Sequence, residues 1–334
     1  MMMNPTLKKP FNFPPGTHIR GKWHHQSYWI LKELGYGANG TVFLVKDEKG
    51  ERQALKVSDT SYTITSEVNV LKAFSKDKKS VLGPELVDVD DLLWNGKTFS
   101  FYVMEYIHGP DLLDFIRMRG ATWSPILILQ LLSNLDSLHQ NGWVFGDLKP
   151  ENLIISHHPV KIRCIDVGGT TQQGRAIKEF TEFFDRGYWG MGSRKAEPTY
   201  DLFAVSMIFL NTAYPTRFQR KEMGLSQLER AIDQKQELHP YKKWMLNGLQ
   251  GRYSTAKTMR QDLLQIVQKK QDHDRKVRKV HHAQVSAPTN QRNSAPTRQE
   301  RRSTRQKRGA MTETVLVLSI MSVLYLLYIY GELL

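Results

Sequence analysis

Near residue 110 the hydrophobic pattern of this chain changes period, and that change bounds the fold more tightly than any other feature. Before it, residues 30–34, 41–46, 53–57 and 99–106 gather β-branched and aromatic side chains between glycine-rich or charged turns, which predicts short strands. After it the signals are helical. Ser124 is placed as an N-cap with Pro125 at the first helical position, the run ILILQLLSNLDSLH supplies an apolar face, and Gly142 stands where the helix should stop. Residues 200–213 are strongly apolar and predict a second, buried helix. A small strand-rich lobe followed by a larger helical lobe is an α+β arrangement, and the cleft between two such lobes is where a ligand is expected.

The rest of the chain divides by composition. The formal charge of +14 is uneven: residues 268–310 hold 13 Lys/Arg against 3 Asp/Glu, so one short segment rather than the whole protein calls for an anionic partner. Residues 269–313 contain no aromatic and are rich in Gln, Ser, Thr, Asn and Pro, which reads as a disordered basic linker. Residues 314–331, TVLVLSIMSVLYLLYIYG, carry no charge. As a helix they would reach about 27 Å, the thickness of a bilayer's hydrocarbon core. A buried C-terminal helix is the alternative, but it would need a partner surface across the polar linker. Arg301, Arg302, Arg305, Lys307 and Arg308 precede this span and predict that the bulk of the chain is cytoplasmic. Residues 1–27 have Pro5, Pro10, four Lys/Arg and three histidines, lack the apolar stretch of a secretory signal, and read as a solvated basic arm. A single cysteine, Cys164, excludes a disulfide framework or a cysteine zinc site and fits a reducing compartment.

Three motifs carry chemistry. LGYGANGTV at 34–42 sets Gly35, Gly37 and Gly40 before Val42, and glycines let backbone N–H groups approach phosphate oxygens. The motif alone is also compatible with a flexible hairpin. A dinucleotide-binding fold would need a helix after the last glycine, whereas 41–44 reads as a strand. Lys56, in ALKV, lies between apolar neighbours in a strand and is costly to bury without an anion; Glu67, opening a short amphipathic run, offers one. An edge-strand lysine reaching solvent is the plainer alternative. The run VFGDLKPENLII at 144–155 then places Asp147, Lys149 and Asn152 within six residues, and Asp166 follows a predicted strand at 160–165. An Asp base, a Lys for phosphate, and an Asn with an Asp as oxygen ligands for a divalent metal make a phosphoryl-transfer set.

Matched in this order, residues 28–268 resemble the eukaryotic-type (Hanks-type) protein kinases, with a bilobal fold divided into 28–107 and 108–268. The resemblance implies ATP and Mg²⁺ as cofactors. Gly35, Gly37, Gly40 and Val42 would cover ATP, Lys56 paired with Glu67 would orient its phosphates, and Glu105 to Ile107 would form the hinge beside Met104. Asp147 would be the base, Lys149 the phosphoryl stabiliser, and Asn152 and Asp166 the metal ligands. Asp201 would support the catalytic loop and Arg252 would be a structural arginine of the larger lobe. KPEN after Asp147 is the serine/threonine form. The whole architecture, with a basic linker and a C-terminal span, is similar to the membrane-anchored kinases of spore-forming bacilli.

Four departures touch regulation. Phe145-Gly146 replaces the family's usual His-Arg, so a phosphorylated activation segment would lack its usual arginine; Thr170, Thr171 and Thr181 remain candidates for modification. Val167 replaces the usual Phe. No Ala-Pro-Glu occurs near residues 187–192, which leaves Glu197 as a substitute partner for Arg252. A catalytically weak pseudokinase tethering nucleic acid to a membrane is the alternative function, against the retention of Lys56, Asp147, Asn152 and Asp166. In the linker, topology accounts for the basics at 298–308 but not for Lys269, Lys270, Arg275, Lys276, Arg278 and Lys279, which lie more than 30 residues before the span. Anionic lipid and DNA both suit them. The expectation is sequence-independent DNA binding through 269–308 that stimulates the kinase by concentrating or pairing molecules, a homodimer included. Ser303 and Thr304, set among arginines, are candidate phosphosites that would weaken it.

Overall fold

The computed structural model describes residues 11–285 except 38, 77–81, 158 and 223. The chain divides into two compact units, Met1–Asp274 and Arg275–Leu334. The lobes belong to the first; of the second, only the helical residues up to Val285 are described.

Alternation along the strands builds the smaller lobe. β1 (His18–Arg20), β2 (Ser27–Gly37), β3 (Gly40–Asp47), β4 (Arg52–Ser58), β5 (Leu86–Trp94) and β6 (Lys97–Glu105) form one antiparallel sheet in the order β1-β2-β3-β4-β6-β5, and α1 (Ser61–Lys76) lies between β4 and β5 in sequence. Successive side chains of a strand leave opposite faces. Leu55, Val57, Phe101 and Val103 therefore enter one core with Phe43, Val45 and Ile30, while Ala54, Tyr102 and Met104 enter a second core with Val68 and Leu71 of α1. Lys56, between Leu55 and Val57, is thereby held on the face towards α1.

Residues 11–27 correct the expectation of a solvated arm. Phe11 and Phe13 are 1% and 4% exposed, and their rings meet Phe99 and Trp94 edge-on at 4.9 Å. The polar, proline-containing composition around them hid two large apolar side chains that close the first core. The chain then crosses from β1 to the opposite edge of the sheet: Lys22 N–H donates to the Asp91 carbonyl, and Trp23 and His24 N–H donate to the Asp90 carboxylate at 2.9 and 2.8 Å. Burial opposes ionisation of Asp90, yet the N–H groups of His24, Asp91 and Trp23 more than offset it and hold its carboxyl below the ordinary range. Strand β5 was not anticipated, because Asp88, Asp90 and Asp91 look like a loop; Tyr28, His24 and Trp23 supply their partners.

The larger lobe holds α2 (Leu112–Arg119), α3 (Trp123–Gln140), β7 (Trp143–Val144), β8 (Leu153–Ser156), β9 (Lys161–Cys164), β10 (Thr171–Gln172), α4 (Pro198–Ala213), α5 (Gly224–Asp233), α6 (Lys242–Leu249) and α7 (Ala256–Val285). Helix α4 is buried along residues 200–211, as its composition predicts. Ser124 is not the N-cap of α3: the helix starts one residue earlier, and the Ser124 hydroxyl is buried without a hydrogen bond. The stop is where it was expected, with Gly142 at φ +81° just past the end. Residues 269–285 correct the linker boundary, since α7 continues through them; Lys, Arg and Gln are good helix formers whatever their polarity. No helix among the described residues is long and apolar enough to cross a membrane, and residues 314–331 lie outside those described.

The buried Phe13 ring yields a direct test. Phe13→Ala should destabilise the chain by about 3–5 kcal/mol, read as a lower denaturation midpoint; an unchanged midpoint would return residues 11–27 to the status of a loose arm.

Candidate active site

Between the sheet and the larger lobe lies a cavity of about 560 Å³. Gly35, Gly37, Gly40, Val42, Lys56, Glu105, Ile107, Asp147, Lys149, Asn152 and Asp166 all line it, so the residues singled out from three separated motifs converge on one space. Its roof is the β2–β3 hairpin. Gly40, at φ +127°, could not carry a Cβ, which would fall 2.3 Å from the Val57 carbonyl, whereas Gly35 and Gly37 face open space.

Glu67 stands behind the cavity and not in its wall. Its carboxylate binds the Lys56 ammonium at 2.7 Å and accepts from the Tyr102 hydroxyl at 2.8 Å, all three groups being buried. Burial raises the Glu67 pKa more than Lys56 and Tyr102 lower it. Glu105 lines the cavity as expected, and its carboxylate is bound to Arg163 of β9 at 2.7 and 3.1 Å. Burial and Arg163 pull its pKa in opposite directions, and the guanidinium, with the Glu85 N–H, prevails and lowers it.

The floor is the loop after β7. Asp201 of α4, fully buried, accepts the N–H groups of Phe145 and Gly146 at 2.8 and 2.9 Å and contacts His139 Nε2 at 2.9 Å. Gly146 sits at φ +86°, and a Cβ there would come 2.6 Å from the Gly169 carbonyl, so local geometry demands the glycine found where the family usually has arginine. Phe145 is a fully buried filler. Asp147 is then fixed from both sides: Lys149 Nζ lies 2.5 Å from one carboxylate oxygen and the Thr181 hydroxyl donates to the other at 2.9 Å. Asn152 donates its amide to the Asp147 carbonyl at 3.1 Å, which leaves its side-chain oxygen available, and Asp166 accepts the Gly168 N–H at 3.0 Å. Two hard oxygen donors on one cavity wall suit a divalent cation such as Mg²⁺.

The segment after Asp166 differs from expectation. Thr170 and Thr171 are buried at 0% and 1% exposure, whereas Thr181 is half-buried and its hydroxyl donates to Asp147. Glu197 does pair with an arginine, but with Arg186 at 2.7 Å and not with Arg252, which reaches the Asn247 side chain at 3.3 Å. Asp185, fully buried, accepts from Arg194, Tyr200 and two backbone N–H groups. These donors outweigh the burial that would raise its pKa and hold it low. Asp185 and Arg186 escaped the sequence reading because their partners lie 9 to 15 residues away in an irregular stretch; the only signal was two adjacent opposite charges among aromatics.

Residues 28–287 match the protein kinase domain family. The chain is 46% identical to the serine/threonine-protein kinase YabT of Bacillus subtilis (strain 168), with 98% of each chain covered. It is also 32% identical to the serine/threonine-protein kinase RIM15 of Saccharomyces cerevisiae over 40% of this chain and 8% of that protein. A third relative, the protein kinase dsk1 of Schizosaccharomyces pombe, is 31% identical over 46% of this chain and 31% of that one. The chain belongs to the protein kinase family, as a serine/threonine kinase of the Hanks type. Among the relatives named here, it is similar along its whole length to YabT.

Gly146→Ala tests the floor. The strained φ and the clash with Gly169 should cost about 1–3 kcal/mol, lowering both the melting temperature and turnover. Wild-type values for both would show that the loop tolerates a side chain there.

Proposed function

We propose that the chain transfers the γ-phosphate of ATP to serine and threonine hydroxyls of protein substrates, with Asp147 accepting the hydroxyl proton. One observation carries this: Asp147, Lys149, Asn152, Asp166 and Lys56 line a single cavity, and a threonine hydroxyl already donates to the Asp147 carboxylate. A substrate hydroxyl would take the remaining lone pairs of that carboxylate. Lys149, bonded to the same group, offsets the charge gathered around the transferring phosphoryl, and Lys56, held by Glu67, orients the nonreacting phosphates. Asn152 and Asp166 would hold Mg²⁺, which when bound neutralises charge on the phosphate oxygens. The scaffold-only alternative has no observation in its favour.

The reading extends beyond the folded lobes. Residues 314–331 serve as a single membrane span, with the arginines at 301–308 keeping the kinase on the cytoplasmic side. The basic residues of 269–308, beginning with exposed Lys269 and Lys270 on α7, bind DNA through its phosphates and raise activity by bringing molecules together. The charge of that stretch, and the distance of its first cluster from the span, support this reading.

Asp147→Asn should cut autophosphorylation about a hundredfold or more while ATP binding persists; undiminished phosphate incorporation would refute the assigned base. For the linker, autophosphorylation of residues 1–310 should rise with DNA and lose that rise as salt increases. Replacing the six basics at 269–279 by Gln should abolish the stimulation, and a variant that still responds fully would sink the DNA reading.

A further inference from the structure

One bond ties the roof of the cleft to its floor and involves none of the groups assigned to phosphoryl transfer. Asn39, at the turn of the β2–β3 hairpin, donates its side-chain amide to the carboxylate of Glu179, in the segment between Asp166 and α4. Both residues line the cavity. Among the described residues Glu179 has no other hydrogen-bond or ion-pair partner, so a half-buried carboxylate is answered by this one neutral amide. The amide stands at the metal end of the cavity: a Cβ on Gly168 would lie 3.1 Å from Asn39 Nδ2 and 3.2 Å from Asp166 Oδ1. The floor partner is held on both sides. Lys178 donates to the Ser66 hydroxyl at 3.1 Å and to the Thr170 carbonyl at 3.3 Å. The Arg194 guanidinium lies 3.9 Å over the Phe180 ring, and the Thr181 hydroxyl donates to Asp147. The roof partner is freer, since Gly35 and Gly37 leave the hairpin backbone permissive and a Cβ on either would meet no atom within 4 Å.

We infer that Asn39 and Glu179 are positioning residues of the phosphate site: their bond pins the glycine hairpin down in front of the phosphates, and nucleotide enters and leaves only when it breaks. This rests on the assignment of the cavity to ATP. Because the bond joins protein to protein, it is the same bond before nucleotide arrives and after. It therefore slows exchange in both directions and leaves affinity alone. A group that contacted the phosphates would behave otherwise, since its removal would weaken affinity and speed only dissociation. The pinned roof keeps the γ-phosphate in place and water out while a protein substrate docks.

The test follows exchange of a fluorescent Mg·ADP analogue on the full chain by stopped flow. Asn39→Ala and Glu179→Ala should each speed association and dissociation about tenfold, the worth of one hydrogen bond to a charged group, with Kd unchanged within about twofold. The double variant should be no faster than either single variant, because only one bond is there to lose. Glu179→Gln keeps an oxygen for the Asn39 amide and should stay nearer to the wild type than Glu179→Ala does. The unchanged Kd separates this effect from a folding defect, which would weaken binding. Effects that multiply in the double variant overturn the proposal, as does a Kd that rises while association stays as in the wild type. Binding with unaltered rates in both alanine variants overturns the gate alone. No binding of the analogue by the wild type overturns the gate and the ATP reading together.

Discussion

A carboxylate with no access to solvent organises this protein. Asp201 rises from the first turn of a helix that is apolar almost all round, and its two oxygens take the backbone N–H groups of Phe145 and Gly146. Both sides need the arrangement. A buried carboxylate without donors is very costly, and so are buried peptide N–H groups without acceptors. Helix α4 thereby fixes the peptide planes immediately before Asp147, and it does so from a buried part of the larger lobe. Lys149, Thr181 and Asn152 then act on a base whose position is already settled.

The other half of the site depends on a different device, the two-residue period of a strand. Leu55 and Val57 are anchored in one core, so Lys56 has only the opposite face, where Glu67 and Tyr102 meet it. Arg163 adds a third constraint by gripping the Glu105 side chain and the Gly83 carbonyl, so that strand β9 of the larger lobe is bonded to the connection between lobes. Catalytic groups from the two lobes can face each other across a shared cavity because each is located by buried structure on its own side.

How much of this could be read from the residues follows from the range of the interactions. Asp147, Lys149 and Asn152 are close in sequence, and Gly35, Gly37 and Gly40 likewise, so the motifs report the site directly. The Lys56–Glu67 pair was inferable from order alone. Strand β5 was hidden because aspartates that look solvated are satisfied by Tyr28, Trp23 and His24, 60 to 67 residues earlier. The same separation hid the role of Phe11 and Phe13, since a short polar stretch gives no sign of a distant apolar opening. The segment between Asp166 and α4 was the least legible. Its order comes from Asp185 with Arg194 and from Arg186 with Glu197, contacts that follow no period, and the substitute partner anticipated for Arg252 was taken by an arginine much nearer.

The crossing at residues 21–24 gives the small lobe an unusual perimeter. Strands β1 and β5 are the two ends of the sheet order, yet one short strap is hydrogen-bonded to the β5 end as it leaves β1, and Gly21 is small enough to let Asp90 close in beside it. The strands thus form a hoop fastened by a clasp, and removing the leading residues would spring the hoop open. Two raw strand borders would then face solvent together, each a template for a neighbouring chain, so the opening stretch guards against self-association as well as completing a core.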